Sequence, residues 1–267
     1  LRDLQVVIWV ARAAGLGRTW AELAAKGLVT PFEVSQLQKH EGSLKLIRAR
    51  LHLVAGRRED RLVFDLQAQV AAALGLQGDD PRRASEELMQ RYFWAAKTVT
   101  QMHSILLQNL ESALFPQHGA QPEPIDDEFR NRSGLLDVID PTLFEREPVR
   151  MLELFHLAQE RELDIHPQAL AAVTHTLSRV DVKLRTDPEA NRLFLDILCA
   201  RKHPALALTR MNEVGLLGRF VPEFGRIVAQ MQFNMYHSYT VDEHTLRAVG
   251  VIAAIAAGRL KDDHPLA

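Results

Sequence analysis

The 267-residue sequence predicts a mainly α-helical protein, with helical bundle segments on either side of one small β-hairpin. Three observations carry this. Alanine and leucine dominate while β-branched residues are sparse. Apolar residues recur at three-, four- and seven-residue steps, the period of a helix that buries one face. Prolines stand at the start of one apolar run after another, where a missing N–H costs no helical hydrogen bond.

The first clear helix begins at Pro31. Thr30 can cap it, Leu37, Leu44, Ile47, Leu51 and Val54 form its apolar stripe, and Gly56 is a natural stop. The next segment, "GRREDRLVFDLQ" (56–67), alternates Arg57, Arg58 and Arg61 with Glu59, Asp60 and Asp65. One reading is a charged helix start with pairs such as Arg61–Asp65 at i, i+4. The other has Arg57, Arg58 and Arg61 projecting towards an anionic ligand, such as a nucleotide, or towards a neighbouring domain. After Pro81, a stripe of Leu88, Tyr92, Ala95, Val99, Met102, Leu106, Leu110 and Ala113 predicts a long bundle helix.

Periodicity stops at "FPQHGAQPEPIDDEF" (115–129), whose three prolines and one glycine read as a linker. In "RNRSGLLDVIDPTLF" (130–144), Ser133-Gly134 is a turn signal and Leu136, Asp137 and Val138 alternate as a strand does. The expectation is a single hairpin, the only β structure in the chain. Helices resume after Pro148. Asp187-Pro188, His203-Pro204 and Val221-Pro222 then mark short helices joined by tight corners. No internal repeat survives comparison of these segments. The organisation predicted is 1–115 helical, 116–128 linker, 129–235 hairpin plus helices, and 236–267 the start of a further domain.

Composition excludes several classes. Apolar residues make up 47% and charged residues 25%, as in a soluble globular protein. Lys plus Arg is 32 against 34 Asp plus Glu, so no basic excess points to nucleic acid. No apolar run approaches the roughly 20 residues of a membrane helix. The one cysteine, Cys199, excludes an intrachain disulfide and a multi-cysteine zinc site. Its apolar setting predicts a core residue, and a reduced, cytoplasmic environment fits. Phosphate loops of the G-x-G-x-x-G or G-x-x-x-x-G-K type are absent, as is a G-x-S-x-G nucleophile. The first residues do not read as a signal peptide, and both ends read as cut. His40, His52, His103, His156 and His175 read as solvated or hydrogen-bonded core residues rather than ligands.

"NMYHSYTVDEHTLRAV" (234–249) is the strongest candidate site. Thr240 and Glu243 make a capping box, which alone accounts for Thr240, Asp242 and Glu243. On the helix that follows, Val241, His244, Ala248, Val251, Ile252 and Ile255 share one face, read as buried. A buried histidine needs a partner for each ring nitrogen, and a metal ion is one such partner.

The stretches "LRDLQ", "LHLVAGRREDRLVFDLQ", "MNEVGLLGRFVPEFGRIVAQMQFNMYHSYTVDEHTLRAV" and "HPLA", in that order, resemble the bifunctional uridylyltransferase/uridylyl-removing enzymes that modify the PII nitrogen-signalling protein. In that family a nucleotidyltransferase domain precedes a helical segment, an all-α metal-dependent hydrolase domain of the HD type, and two C-terminal ACT domains. The resemblance implies that Leu1-Arg2-Asp3 ends the family's G-G-L-R-D motif. It also implies that His244, on the first helix of the HD domain, is that domain's first metal ligand, with His237 and Asp242 around it. The His-Asp pair and the final aspartate fall after Ala267 on this reading. The implied cofactor is Mg²⁺ or Mn²⁺. The implied partners are PII and UTP, with glutamine as effector through the C-terminal domains. On this reading the isolated chain is catalytically silent. A non-catalytic helical scaffold, or an HD-type nucleotide phosphohydrolase unrelated to PII, remains open at this point.

Overall fold

A computed structural model describes residues 1–76, 80–115, 122–230 and 240–260. The chain divides into two compact units, Leu1–Pro116 with Ala229–Val241, and Gln117–Val228 with Asp242–Ala267. The fold is mainly α, as the composition and periodicity predict.

The first unit contains α1 (Arg2–Ala13), α2 (Trp20–Ala25), α3 (Pro31–Ala55), α4 (Phe64–Ala73) and α5 (Pro81–Leu114). Local signals set their ends. In α3 the Thr30 hydroxyl accepts the Glu33 N–H at 3.2 Å, and the Glu33 carboxylate accepts the Thr30 N–H at 2.7 Å. Gly56 closes the same helix in the left-handed region, at φ +64°. Asp80 caps α5 through the Arg82 N–H.

The stripes predicted for α3 and α5 form the core. Leu37 and Leu44 meet Leu4, Val7 and Leu23, along with Ala95, Val99 and Leu106. One turn further along α3, Ile47 and Leu51 pack with Val70, Ala71 and Leu88. Ala113, placed on the same stripe by its spacing, is exposed near the end of α5. The segment before α4 corrects one reading of the arginine-rich stretch. Residues 57–63 are not helical and α4 starts only at Phe64, so Arg61 and Asp65 do not share a helical face.

In the second unit, β1 (Glu123–Pro124), β2 (Phe129–Arg132), β3 (Leu135–Val138) and β4 (Asp164–Ile165) form one sheet in that order. β2 and β3 are the predicted hairpin. Ser133 and Gly134 both have positive φ, the geometry a two-residue hairpin turn requires. The expectation of a hairpin alone is corrected by the two flanking strands. β1 adds antiparallel to β2, and β4 adds parallel to β3. Each is two residues long, too short to leave a periodic signal.

Helices α6 (Leu143–Arg146) and α7 (Arg150–Arg161) lie between β3 and β4 in the chain. They are followed by α8 (Pro167–Thr176), α9 (Val182–Arg185), α10 (Pro188–Cys199), α11 (Pro204–Glu213), α12 (Leu216–Phe220), α13 (Pro222–Ile227) and α14 (Val241–Ala256). Proline occupies the first turn of α8, α10, α11 and α13, as the sequence predicts. The core joins Phe129, Leu136 and Val138 of the sheet to Phe144, Phe155, Val173, Ile197, Leu208 and Phe220 of the helices. At the corner between α12 and α13 the backbone of Gly218 meets that of Gly225 so closely that a Cβ at Gly225 would collide with the Gly218 carbonyl. Cys199 departs from expectation: it ends α10 on the exposed side, while Leu193 and Ile197 take the buried positions.

Asp137 breaks the alternation read from β3, for Leu136, Asp137 and Val138 are all buried. Its carboxylate is held by groups on both sides. Arg130 donates to Oδ2 through Nε at 3.1 Å and Nη2 at 2.7 Å, Arg132 stands at 3.8 Å, and the Val138 N–H donates to Oδ1 at 3.0 Å. Buried His166 lies next to it, its Nδ1 3.8 Å from Asp137 Oδ1 and accepting the Gln168 N–H at 3.2 Å as the cap of α8.

Burial pushes the His166 imidazole below its ordinary pKa, and Arg132 and Arg130 push the same way, while Asp137 opposes them. In the unfolded chain the ring takes up a proton near pH 6.5, whereas the folded chain resists it to lower pH. Stability from this group is therefore full above about pH 6.5 and falls as pH drops through the folded-state pKa. His166→Asn, which keeps a good capping residue, is expected to flatten the stability profile just below pH 6.5, as followed by urea unfolding at a series of pH values. An unchanged slope would show that other groups set the acid limit.

Candidate functional site

The three arginines of 57–61 have different surroundings. Arg57 pairs with Glu59 at 2.9 Å, and the same carboxylate accepts the Arg61 N–H at 3.0 Å. These contacts, the Arg61 N–H first and then Arg57, hold the Glu59 carboxyl below its usual range. Arg58, 3.9 Å from Asp60, lines a cavity of about 520 Å³ together with Arg2, Arg48, Asp60, Tyr92 and Thr100. Arg48 fixes Asp60 with two hydrogen bonds, at 2.7 and 3.1 Å, and His52 Nε2 stands 3.4 Å from the same carboxylate. Arg48 is the main cause of the depressed Asp60 pKa.

Of the three arginines singled out, Arg58 is the one on this cavity. Arg2 and Arg48 join it, and sequence reasoning missed both. The signal for Arg48 was its spacing: Arg48 and His52 lie four residues apart on α3 and both reach Asp60.

A second cavity, about 270 Å³, is lined by Glu162, Asp164, His203 and Arg210 over a floor that includes Phe155 and Leu206. Its charges are largely committed, since Lys202 pairs with Glu162 and Arg210 with Asp164.

On α14, Thr240 stands directly before the first helical residue and is buried. Asp242, in the first turn, is 3% exposed, and its Oδ2 accepts the Asn212 Nδ2–H at 2.8 Å. Leu246 is the other buried residue of the helix, and Val249 packs beside it. These three positions lie at i, i+4 and i+7.

The face read as buried is therefore the other one. His244 and Ala248 are exposed, and Val251 and Ile252 are 47% and 66% exposed. The correction has a simple cause. α14 is apolar on two sides, and periodicity alone does not say which side docks. His237 lies outside the described residues. His244 is a single nitrogen donor, and a divalent ion takes several ligands. Among the described residues no group of three or more His, Cys, Asp or Glu side chains is placed to hold a metal. Among those residues, too, no helix is long and apolar enough to cross a membrane.

Comparison with known proteins adds the family. The family described as GlnD PII-uridylyltransferase matches residues 1–107, and the uridylyltransferase GlnD third domain matches residues 129–220. The bifunctional uridylyltransferase/uridylyl-removing enzyme of Bordetella pertussis is 43% identical over all of this chain. The enzymes of the same name from Cupriavidus pinatubonensis and Ralstonia nicotianae are 47% and 44% identical over 93% of it. The match takes in 31% of the Bordetella protein and 29% of each of the other two, so the chain spans about a third of the length of the curated relatives it matches. No solved structure matches. With both GlnD domains and relatives of this identity along its length, the chain belongs to the bifunctional uridylyltransferase/uridylyl-removing enzyme family.

Proposed function

We propose that this chain is the connecting helical region and the first HD-domain helix of an enzyme that reversibly uridylylates PII. One activity transfers UMP from UTP to a tyrosine of PII; the other removes it by metal-dependent hydrolysis. The observation that carries this reading is the 43% identity along the whole chain to relatives named for both activities. Glutamine acts as effector through domains outside this chain, and the enzyme works in the cytoplasm. The domain organisation follows the sequence reading, with the helical region in 1–115 and the HD start in 236–267.

His244 supplies one imidazole donor to the HD metal, Mg²⁺ or Mn²⁺, and the remaining donors come from parts of the complete enzyme outside this chain. A divalent ion in such a site makes water nucleophilic near neutral pH and stabilises charge on the phosphoryl oxygens. This chain's own contribution is to hold the imidazole on the exposed side of α14. His237 and Asp242 do not bind the ion directly. The test is a mass measurement of PII. The complete enzyme with UTP and Mg²⁺ adds UMP, and with modified PII and Mn²⁺ it removes UMP. The 267-residue chain alone does neither, and turnover by it above a buffer blank would refute the assignment of the chemistry to other parts.

The cavity at Arg58 adds a contact to the transfer reaction. Arg58, with Arg2 and Arg48, faces an anionic group of the nucleotide or the neighbouring transferase domain, whereas the Arg57 guanidinium is held by Glu59 and Arg61 does not line the cavity. Arg58→Glu in the complete enzyme is expected to slow transfer by roughly tenfold, the worth of one charge-assisted contact of about 1.5 kcal/mol. Removal should change little. Normal transfer kinetics for UTP and PII would leave Arg58 as a surface charge only.

A further inference from the structure

We infer that Asn212 is a positioning residue for uridylyl removal: by holding Asp242 it fixes how α14 is set on the fold and where His244 is presented. This rests on the role proposed above for His244.

The inference begins with how α14 is seated. Over its 16 residues only Asp242 and Leu246 are buried, against five buried residues in each of α7 and α11. Two contacts show its direction. Asp242 meets Asn212 near the end of α11, and a Cβ at Gly250 would come within 3.1 Å of the Ala205 Cβ near the start of α11. Moving eight residues forward on α14 thus moves seven residues back on α11. The two helices run antiparallel, and the span is about 12 Å on one and 10.5 Å on the other at 1.5 Å per residue. Gly250 permits the close approach at one end. The Asn212–Asp242 bond secures the other end.

That second end carries the chemistry. Asp242 and His244 are two residues apart in the first turn of α14, roughly 200° round the helix from one another. Fixing Asp242 inward therefore points His244 outward. Both partners of the bond are buried, at 6% and 3% exposure, so losing it costs a buried hydrogen bond. Leu246 and Val249 add apolar contacts, which set no direction of their own, whereas the hydrogen bond does. Asn212 itself is placed by a well-packed helix, with Leu208 and Met211 in the core.

A reciprocal exchange separates this role from a role for the Asp242 charge. In Asn212→Asp two carboxylates face each other and the bond is lost. In Asp242→Asn two amides face each other and can still bond. The double exchange restores one amide and one carboxylate with the charge moved to α11.

In the complete enzyme, Asn212→Asp is expected to lower uridylyl removal about tenfold or more, in the range seen when an outer-shell partner is lost. Nucleotide-free Mn²⁺ affinity, measured by calorimetry, should fall with it while transfer stays normal. Asp242→Asn should be mild, and the double exchange should recover both removal and Mn²⁺ affinity.

Three results overturn the inference. In the first, Asn212→Asp keeps normal removal although His244→Ala abolishes it, which leaves the reading of His244 standing. In the second, Asp242→Asn is severe and the exchange repairs nothing, which makes the Asp242 charge the active feature. In the third, transfer, removal and thermal stability fall together without rescue, which makes Asn212 a packing residue only. Normal removal by His244→Ala would remove the function on which the inference rests.

Discussion

His244→Ala in the complete enzyme is expected to collapse uridylyl removal by roughly a hundredfold or more while leaving uridylyl transfer largely intact. Loss of an outer partner of a metal ligand typically costs about 10- to 100-fold, and loss of the ligand itself should cost at least the upper end. The side chain stands exposed in the first turn of α14, on the side away from Asp242 and Leu246. Truncation there creates no cavity, and thermal unfolding of the variant beside the assay separates lost chemistry from lost stability. Transfer is assigned to a separate domain and should not sense the change. His237→Ala should cost much less in the same assay. Near-normal removal by His244→Ala, with His237→Ala inactive, would move the ligand to the other histidine. If neither matters, Thr240 to His244 is only the start of a helix.

Arg130→Met should be the most damaging of the simple stability variants. Asp137 has a side-chain exposure of 2%, and among the described residues Arg130 is its only side-chain partner within hydrogen-bonding distance; Arg132 is 3.8 Å away. Removing the guanidinium strands a carboxylate in the sheet, at an expected cost of about 3 kcal/mol, the lower end for breaking a buried pair because Arg132 remains. Adding Asp137→Leu should then recover most of the loss, since an apolar pair of similar volume replaces the ions without their desolvation cost. Urea unfolding of the wild-type chain, the single variant and the double variant checks both statements. A double variant less stable than Arg130→Met would mean that the ion pair itself, not the stranded charge, carries the stability.

The elements that could be read from the chain share one property: their signals act within four residues. Thr30 and Glu33 cap α3, Gly56 ends it, and prolines open α3, α5, α8, α10, α11 and α13, all through bonds between near neighbours. The hairpin at Ser133-Gly134 is of the same kind. β1 and β4 were not legible because a two-residue strand exists only through its long-range partner. Asp137 was read as a polar-face residue because nothing adjacent to it announces Arg130 across the hairpin or His166 at the start of α8.

The candidate sites divide in the same way. The residue types at Arg58 and His244 and the family resemblance were present in the linear sequence. The neighbours were not: Arg2 and Arg48 reach the Arg58 cavity through the packing of the first unit, and Asn212 reaches Asp242 across thirty residues. By itself, then, the sequence determined the helical class, the proline-marked and capped helix starts, and the family. Only the tertiary structure decided which side of α14 is buried. Two apolar stripes of equal period are equivalent until another helix offers one of them a hydrogen bond and a close fit, as α11 does with Asn212 and Ala205.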